Sequence, residues 1–172
     1  RYSKIELTSA PEPTSIPPAS LGQIILEVVR VEGPVIAERV YQVINIAAGN
    51  QRVGPVIRAA MQKACDGLQR AGLLLAEDPL SDGPLLATLR LPDQPAVLRR
   101  ERGPRLFQHV PPREIAAMIE HERSESESTG VEVYRRIHRI YDHQRMRDAA
   151  IPRYVACERL IDSLSDQRTA PR

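Results

Sequence analysis

Aromatic residues are scarce in this 172-residue chain, at 3% of positions, with no Trp and a single Phe. Its core must come from Leu, Ile, Val and Ala, which favours packed helices over a sandwich of sheets. Lysine is nearly missing too, present only at Lys4 and Lys63, so almost all positive charge is arginine. A GC-rich genome explains that bias better than a need for forked donors does. Cysteine is limited to Cys65 and Cys157, far apart and each among apolar neighbours in a helical pattern. They read as buried free thiols in a reducing compartment rather than a disulfide. No run is long and apolar enough to span a bilayer, and the first residues lack the charged-then-apolar design of a secretory signal. The expectation is a soluble, cytoplasmic chain. Its start at Arg1 rather than Met, directly in a Pro/Ser-rich tract, reads as a piece of something larger.

The grammar of catalysis is missing as well. There is no GxxxxGK[ST] or GxGxxG for a phosphate-cradling loop, and no CxxC. His109, His121, His138 and His143 have no Cys or carboxylate at metal-ligand spacing and read as solvent-exposed histidines. The acids of the ERSESES run, residues 122–128, look paired but read as a solvated loop with nothing to shift their pKa values. The chain therefore reads as non-enzymatic, with no cofactor and no metal. A net charge of +2 is too small to declare a polyanion partner, so any such role must come from local charge distribution.

What is present is a near repeat. VYQVINIAAGNQRV, Val40 to Val53, returns as VYRRIHRIYDHQRM, Val133 to Met146, with Val40/Val133, Tyr41/Tyr134, Ile44/Ile137, Gln51/Gln144 and Arg52/Arg145 matched at one constant offset. Each copy reads as an apolar-periodic helix, a polar turn carrying Gln-Arg, and a second helical pattern, which is the grammar of a helix-turn-helix. At 172 residues the chain holds one ordinary domain or two small ones, and the repeat favours two.

The predicted organisation follows from the punctuation. Residues 1–20, with four prolines, read as an extended linker. Residues 21–92 read as a winged-helix module: a helix from Ser20 as N-cap to the Gly33-Pro34 stop, a second from Val35 to about Ala48, a third opening near Pro55, then a β-hairpin across residues 73–91. Residues 93–112 form an Arg/Pro-rich connector. Residues 113–172 form a second helix-turn-helix-like module, with a helix over 113–121, one announced by the capping-box spacing Thr129-x-x-Glu132, and a last one from about Asp148 to Leu164. The fold class is mainly α with a small β-hairpin, arranged as tandem winged-helix or helix-turn-helix modules.

Three arginine clusters are the candidate binding residues. On the turn and third helix, Arg52, Arg58, Gln62 and Lys63 face outward once the apolar face is assigned, where Arg and Gln can meet base edges in a major groove. In and beside the connector, Arg90, Arg99, Arg100, Arg102, Arg105 and Arg113 gather against Asp93 and Glu101, with Arg99, Arg100 and Arg102 at the centre. The second repeat presents Arg135, Arg139 and Arg145. Together these could track a phosphate backbone, or pair with the acidic run or a partner domain. Glu77, Asp78 and Asp82 near the hairpin tip would repel phosphate there.

The run from Val29 to Leu74, with Val-Glu-Gly-Pro at 31–34, Arg52-x-Gly54-x-x-Ile57 and Gly72-x-Leu74, resembles a domain family of unknown function. That family occurs at the C-terminal end of large bacterial superfamily 1 helicase-like proteins carrying a Vsr-like endonuclease domain. Arg100-x-Arg102 and the Pro112, Glu114, Ile115, Ala116 stretch extend the resemblance, while Ile36 stands where members carry His and the second repeat lacks a clear R-x-G-x-x-I. The resemblance implies an accessory C-terminal region whose motor and nuclease chemistry lies elsewhere. The expected function is nucleic-acid binding, DNA rather than RNA. The alternatives are docking within the parent protein and, more remotely, a stand-alone transcription regulator.

Overall fold

The computed structural model describes residues 1–126, 128–142 and 146–162. The protein is mainly helical with one small three-stranded antiparallel sheet, and it divides into two compact units. One takes Ser3–Ala96; the other takes Arg1–Tyr2 and the chain from Val97 onward.

The N-terminal unit opens with α1 (Pro18–Glu32), β1 (Val35–Ile36) and α2 (Ala37–Ala47), continues with α3 (Pro55–Arg70), and closes with β2 (Leu75–Glu77) and β3 (Thr88–Arg90). Helix α1 starts at Pro18, two residues before the Ser20 expected to cap it, because proline itself is suited to a first helical turn. It stops at Gly33-Pro34 as expected. The helix expected from Val35 begins two residues later, since β-branched Val35 and Ile36 pair with Leu89 and Thr88 of the central strand β3. Strand β2 covers the other edge of β3, placing Leu75 opposite Arg90 and Glu77 opposite Thr88. Helices α1 and α3 pack together over a core that includes Ile25, Val29, Val40, Ile44, Met61 and Leu89.

Two features of this unit escaped the sequence reading. The Pro/Ser-rich segment is no extended linker: Ile5 is buried, Leu7, Ala10 and Ile16 pack on the same core, and the Ala10 N–H donates to the Ala47 carbonyl at 3.0 Å. Gln94, expected in the connector, donates from Nε2 to the carbonyls of Val29 and Arg30 at 3.0 and 3.1 Å and so closes the C-terminus of α1. Its Oε1 accepts the Leu91 N–H at 2.9 Å. A Cβ at Gly33 would lie 2.5 Å from both Gln94 Oε1 and the Val29 carbonyl oxygen, so the junction admits no larger residue.

The C-terminal unit is built from α4 (Pro112–Glu125), α5 (Val131–Asp142) and α6 (Ile151–Glu158), with short 3-10 turns at Phe107–His109 and Asp148–Ala150. Its centre is Tyr154, fully buried, stacked on Tyr134 at 5.1 Å and set against Phe107 at 5.0 Å. Helix α4 runs beyond His121 into the acidic run, which therefore begins as helix rather than loop. Ser124 and Ser126 hydroxyls donate to the carbonyls of His121 and Glu122 at 2.7 and 2.9 Å, satisfying acceptors near the helix end. Pro152 sits in the first turn of α6, where a missing N–H costs nothing. Ile140 is 41% exposed, and the inward positions of α5 go to Val133, Tyr134, Ile137, His138 and Tyr141.

The repeat corresponds to matching burial. Val40, Tyr41 and Ile44 on α2 and Val133, Tyr134 and Ile137 on α5 are all buried in their own units. The units differ otherwise: among the described residues the three strands belong to the N-terminal unit alone.

Candidate nucleic-acid interface

The turn between α2 and α3 is fixed by its backbone. After Ala48, Gly49 takes φ +87°, a left-handed conformation that glycine adopts without penalty. The N–H of Gly49 then bonds the Ile46 carbonyl at 2.9 Å and that of Asn50 the Asn45 carbonyl at 3.0 Å, the reciprocal pattern that ends helices. Asn50 Nδ2 donates to Glu12 Oε2 at 2.7 Å, tying the turn to the N-terminal segment. Gly54 caps α3 and Pro55 occupies its first turn. The turn is thereby held while Gln51 and Arg52 stay exposed at its surface.

Against this turn lies a cleft of about 330 Å³. Helix α2 contributes Glu38, Gln42, Asn45 and Ile46, successive positions along one helical face; the turn contributes Gln51, Arg52 and Val53; Arg58 and Leu85 complete it. Ile46 is 63% exposed, and Val56, at the start of α3, is 72% exposed. Asn45 is 1% exposed, and its Oδ1 has no hydrogen-bond partner among the described residues. Leaving such a buried polar group unpaired costs about 1–3 kcal/mol. This residue was missed in the sequence, although an Asn one turn beyond Tyr41, inside an otherwise apolar stripe, was the available signal.

The candidate residues fare differently. Arg52, Arg58 and Lys63 are exposed, on one turn and the helix that follows it, and form no ion pair among the described residues. Gln62 is not free to read a base: its Oε1 accepts the Tyr41 hydroxyl at 3.2 Å and its Nε2 donates to Asp66 Oδ1 at 2.8 Å. In the connector only Arg99 of the three central arginines is exposed. Arg100 is buried and bonds Glu114 Oε2 at 2.8 Å, and Arg102 donates to the carbonyls of Tyr141 and Arg105 at 2.7 and 2.6 Å. These are corrections: the buried Glu114 carboxylate recruits Arg100, which an open chain would leave to solvent, and Arg102 is taken up by backbone carbonyls. Arg135 is exposed 3.5 Å from Glu132, while Arg136 meets Glu122 of the acidic run at 3.1 Å. Arg139 is exposed, and Arg145 lies outside the described residues.

The acids near the hairpin tip are structural. Asp78 carboxylate oxygens accept the N–H groups of Asp82 and Gly83 at 2.9 and 2.8 Å, shaping the β2–β3 loop, and Glu77 pairs with Arg90 at 3.3 Å. His109 and His138 are buried rather than exposed, with His138 Nδ1 3.3 Å from the Tyr154 hydroxyl. Among the described residues no group of His, Cys, Asp and Glu is placed to hold a metal ion, and no helix is long and apolar enough to cross a membrane.

Cys65 and Cys157 are both free and buried, as expected. Burial pushes the Cys65 thiol up to about 11, opposed by the Tyr41 hydroxyl 3.6 Å from its Sγ and reinforced by the charge of Asp66. The thiol's ordinary value is near 9, so the stability gained by keeping it neutral is fully present below pH 9 and is lost as pH rises to about 11. Alkylation by iodoacetamide at pH 8 is expected to be slow in the folded protein and fast in urea. Rapid labelling of the native protein would contradict the buried, protonated thiol.

No family model, no curated protein and no solved structure matches the chain.

Proposed function

We propose that Ser3–Ala96 is a winged-helix-like module that binds nucleic acid, DNA in preference to RNA, as an accessory part of a cytoplasmic bacterial helicase- or nuclease-type protein. The carrying observation is the contrast among basic residues: Arg100, Arg105 and Arg39 are consumed by internal glutamates, whereas Arg52, Arg58 and Lys63 stand exposed on one turn and one helix with no ion pair among the described residues. The element order supports the module: helix, strand, two helices joined by a tight turn, then two strands, with a sheet ordered β1-β3-β2. The parent protein is supported by the motif resemblance, in which Glu32, Gly33 and Pro34 take part.

The unit carries eight Lys and Arg against ten Asp and Glu, so no broad positive field draws a polyanion to it. Binding must come from local contacts, and its salt dependence should be shallow. With two phosphates engaged, the slope of log affinity against log salt is about −1.8 for duplex and about −1.4 for single strand. Fluorescence anisotropy of labelled duplex and single-stranded DNA across salt tests this. The full chain is expected to bind at micromolar concentration or tighter, and the Arg52→Ala/Arg58→Ala variant to bind at least about tenfold more weakly with the slope reduced by about one per arginine. Absence of binding at low salt rejects the reading.

One observation favours a second reading, a docking surface for another part of the parent protein: Ile46 and Val56 are large apolar side chains left 63% and 72% exposed beside the turn. Binding of that kind is insensitive to salt.

A further inference from the structure

We propose that the α2–α3 cleft receives a single nucleobase that has left its stack, so that the protein prefers a strand end, a bulge or a single strand to uninterrupted duplex. This rests on the nucleic-acid reading above and specifies what that surface recognises.

The floor of the cleft is the first argument. Asn45 is 1% exposed, lines the cleft, and has an amide oxygen without a partner among the described residues. An unpaired buried acceptor on a residue that lines a cleft favours a ligand with a hydrogen-bond donor. The exocyclic amines of adenine, cytosine and guanine are such donors. In a paired duplex each amine spends one N–H on its partner base, and the whole edge of a base enters a recess only after extrusion.

Size and walls are the second. At about 330 Å³ the cleft lies at the lower end of small-molecule sites, about 300–1,000 Å³, which is room for one base with its sugar. Ile46, Val53 and Leu85 supply apolar surface for the flat faces of a ring, while Gln42 and Gln51 add polar edges. Arg52 and Arg58 line the same cleft from the turn and the start of α3, where a flipped nucleotide's own phosphates would follow it.

The third argument is electrostatic. Eight cations against ten acids cannot hold a backbone by charge alone, so an engaged base supplies what the field does not.

The experiment uses the full chain and three fluorescein-labelled probes: a short intact duplex, the same duplex with one unpaired adenine, and the same with one unpaired thymine. A parallel adenine-bulge probe carries 2-aminopurine, whose emission reports unstacking. The wild-type chain is expected to bind the adenine bulge about tenfold or more tighter than the intact duplex, with the thymine bulge between them and with a change in 2-aminopurine emission on binding. Asn45→Leu should bring adenine-bulge affinity down to that of the intact duplex and abolish the emission change. Asn45→Ala serves as a second variant if Leu does not fit, with circular dichroism confirming the fold of each. Equal affinity of the wild type for bulged and intact duplex overturns the base pocket while leaving the nucleic-acid reading standing. So does a preference that survives both Asn45 variants. Absence of binding to every probe overturns both.

Discussion

Replacing Glu114 with Ala is expected to destabilise the C-terminal unit by about 3–5 kcal/mol, the usual cost of removing one partner from a buried ion pair. Glu114 is 1% exposed at the N-terminal end of α4, and its Oε1 and Oε2 accept hydrogen bonds from Arg105 at 2.8 and 3.0 Å. Oε2 also accepts from Arg100 at 2.8 Å. Arg105 is fully buried, with the Tyr2 ring 4.3 Å from its guanidinium. Arg102 and Arg105 further donate to the carbonyls of Tyr141, Arg105, Arg102 and Glu101, so the loop before α4 is organised by its arginines around one carboxylate. Truncating Glu114 leaves two guanidinium groups without their counter-charge. Cys157, fully buried in α6, is the readout: its labelling by a thiol reagent under native conditions should accelerate by about two to four orders of magnitude. An unchanged rate would show that the cluster adds nothing to stability. An Arg100→Ala/Arg102→Ala variant that lost nucleic-acid binding would report this destabilisation rather than a lost phosphate contact.

Glu32→Ala is the matching expectation for the N-terminal unit, at about 3 kcal/mol. Glu32 is fully buried at the last position of α1 and takes both forks of Arg39, Nε to Oε2 and Nη2 to Oε1, each at 3.0 Å. Its Oε1 also accepts the Ile5 N–H at 3.1 Å, fastening the N-terminal segment to the helix. Loss of the carboxylate therefore loosens the segment and strands Arg39 together. Two measurements separate these: native-state labelling of Cys65 for the unit as a whole, and amide exchange at Ile5 for the segment. Both should accelerate, with the amide responding more. If Ile5 keeps its protection, the segment is held by apolar packing of Ile5 and Leu7 and not by Glu32.

These two glutamates give several residues of the Val-Glu-Gly-Pro and arginine-rich stretches a role in folding. Glu32 and Gly33 sit where a carboxylate must reach Arg39 and where any Cβ would strike the Val29 carbonyl. Arg100 and Glu114 are each other's partners. Folding alone accounts for these residues, so they are no argument for contact with a ligand.

Much of the architecture was legible because it rests on local rules. Period-3.6 apolar spacing located α2, α3 and α5, Gly33-Pro34 ended α1, Pro55 opened α3, and the turn-rich stretch after Leu75 separated β2 from β3. The exposed arginine set on the turn and α3 was legible for the same reason, since assigning the apolar face assigns the opposite one. The connector arginines were not, because local composition shows a charge without showing its partner 9 or 14 residues away. The docked N-terminal segment was missed because prolines mark an extended backbone but do not say whether Ile5 and Leu7 have a core to enter.

The sequence by itself determined which faces of the helices are apolar and placed the helix ends to within a few residues, since dihedral preference and side-chain periodicity act locally along the chain. Tertiary structure alone decided which charges are spent internally and which remain available, and that Asn45 lies at the floor of a cleft with its oxygen unpaired. A charge or an amide acquires its energetic meaning only from what is packed around it: the same arginine is solvated on an exposed turn and a core residue beside a buried glutamate.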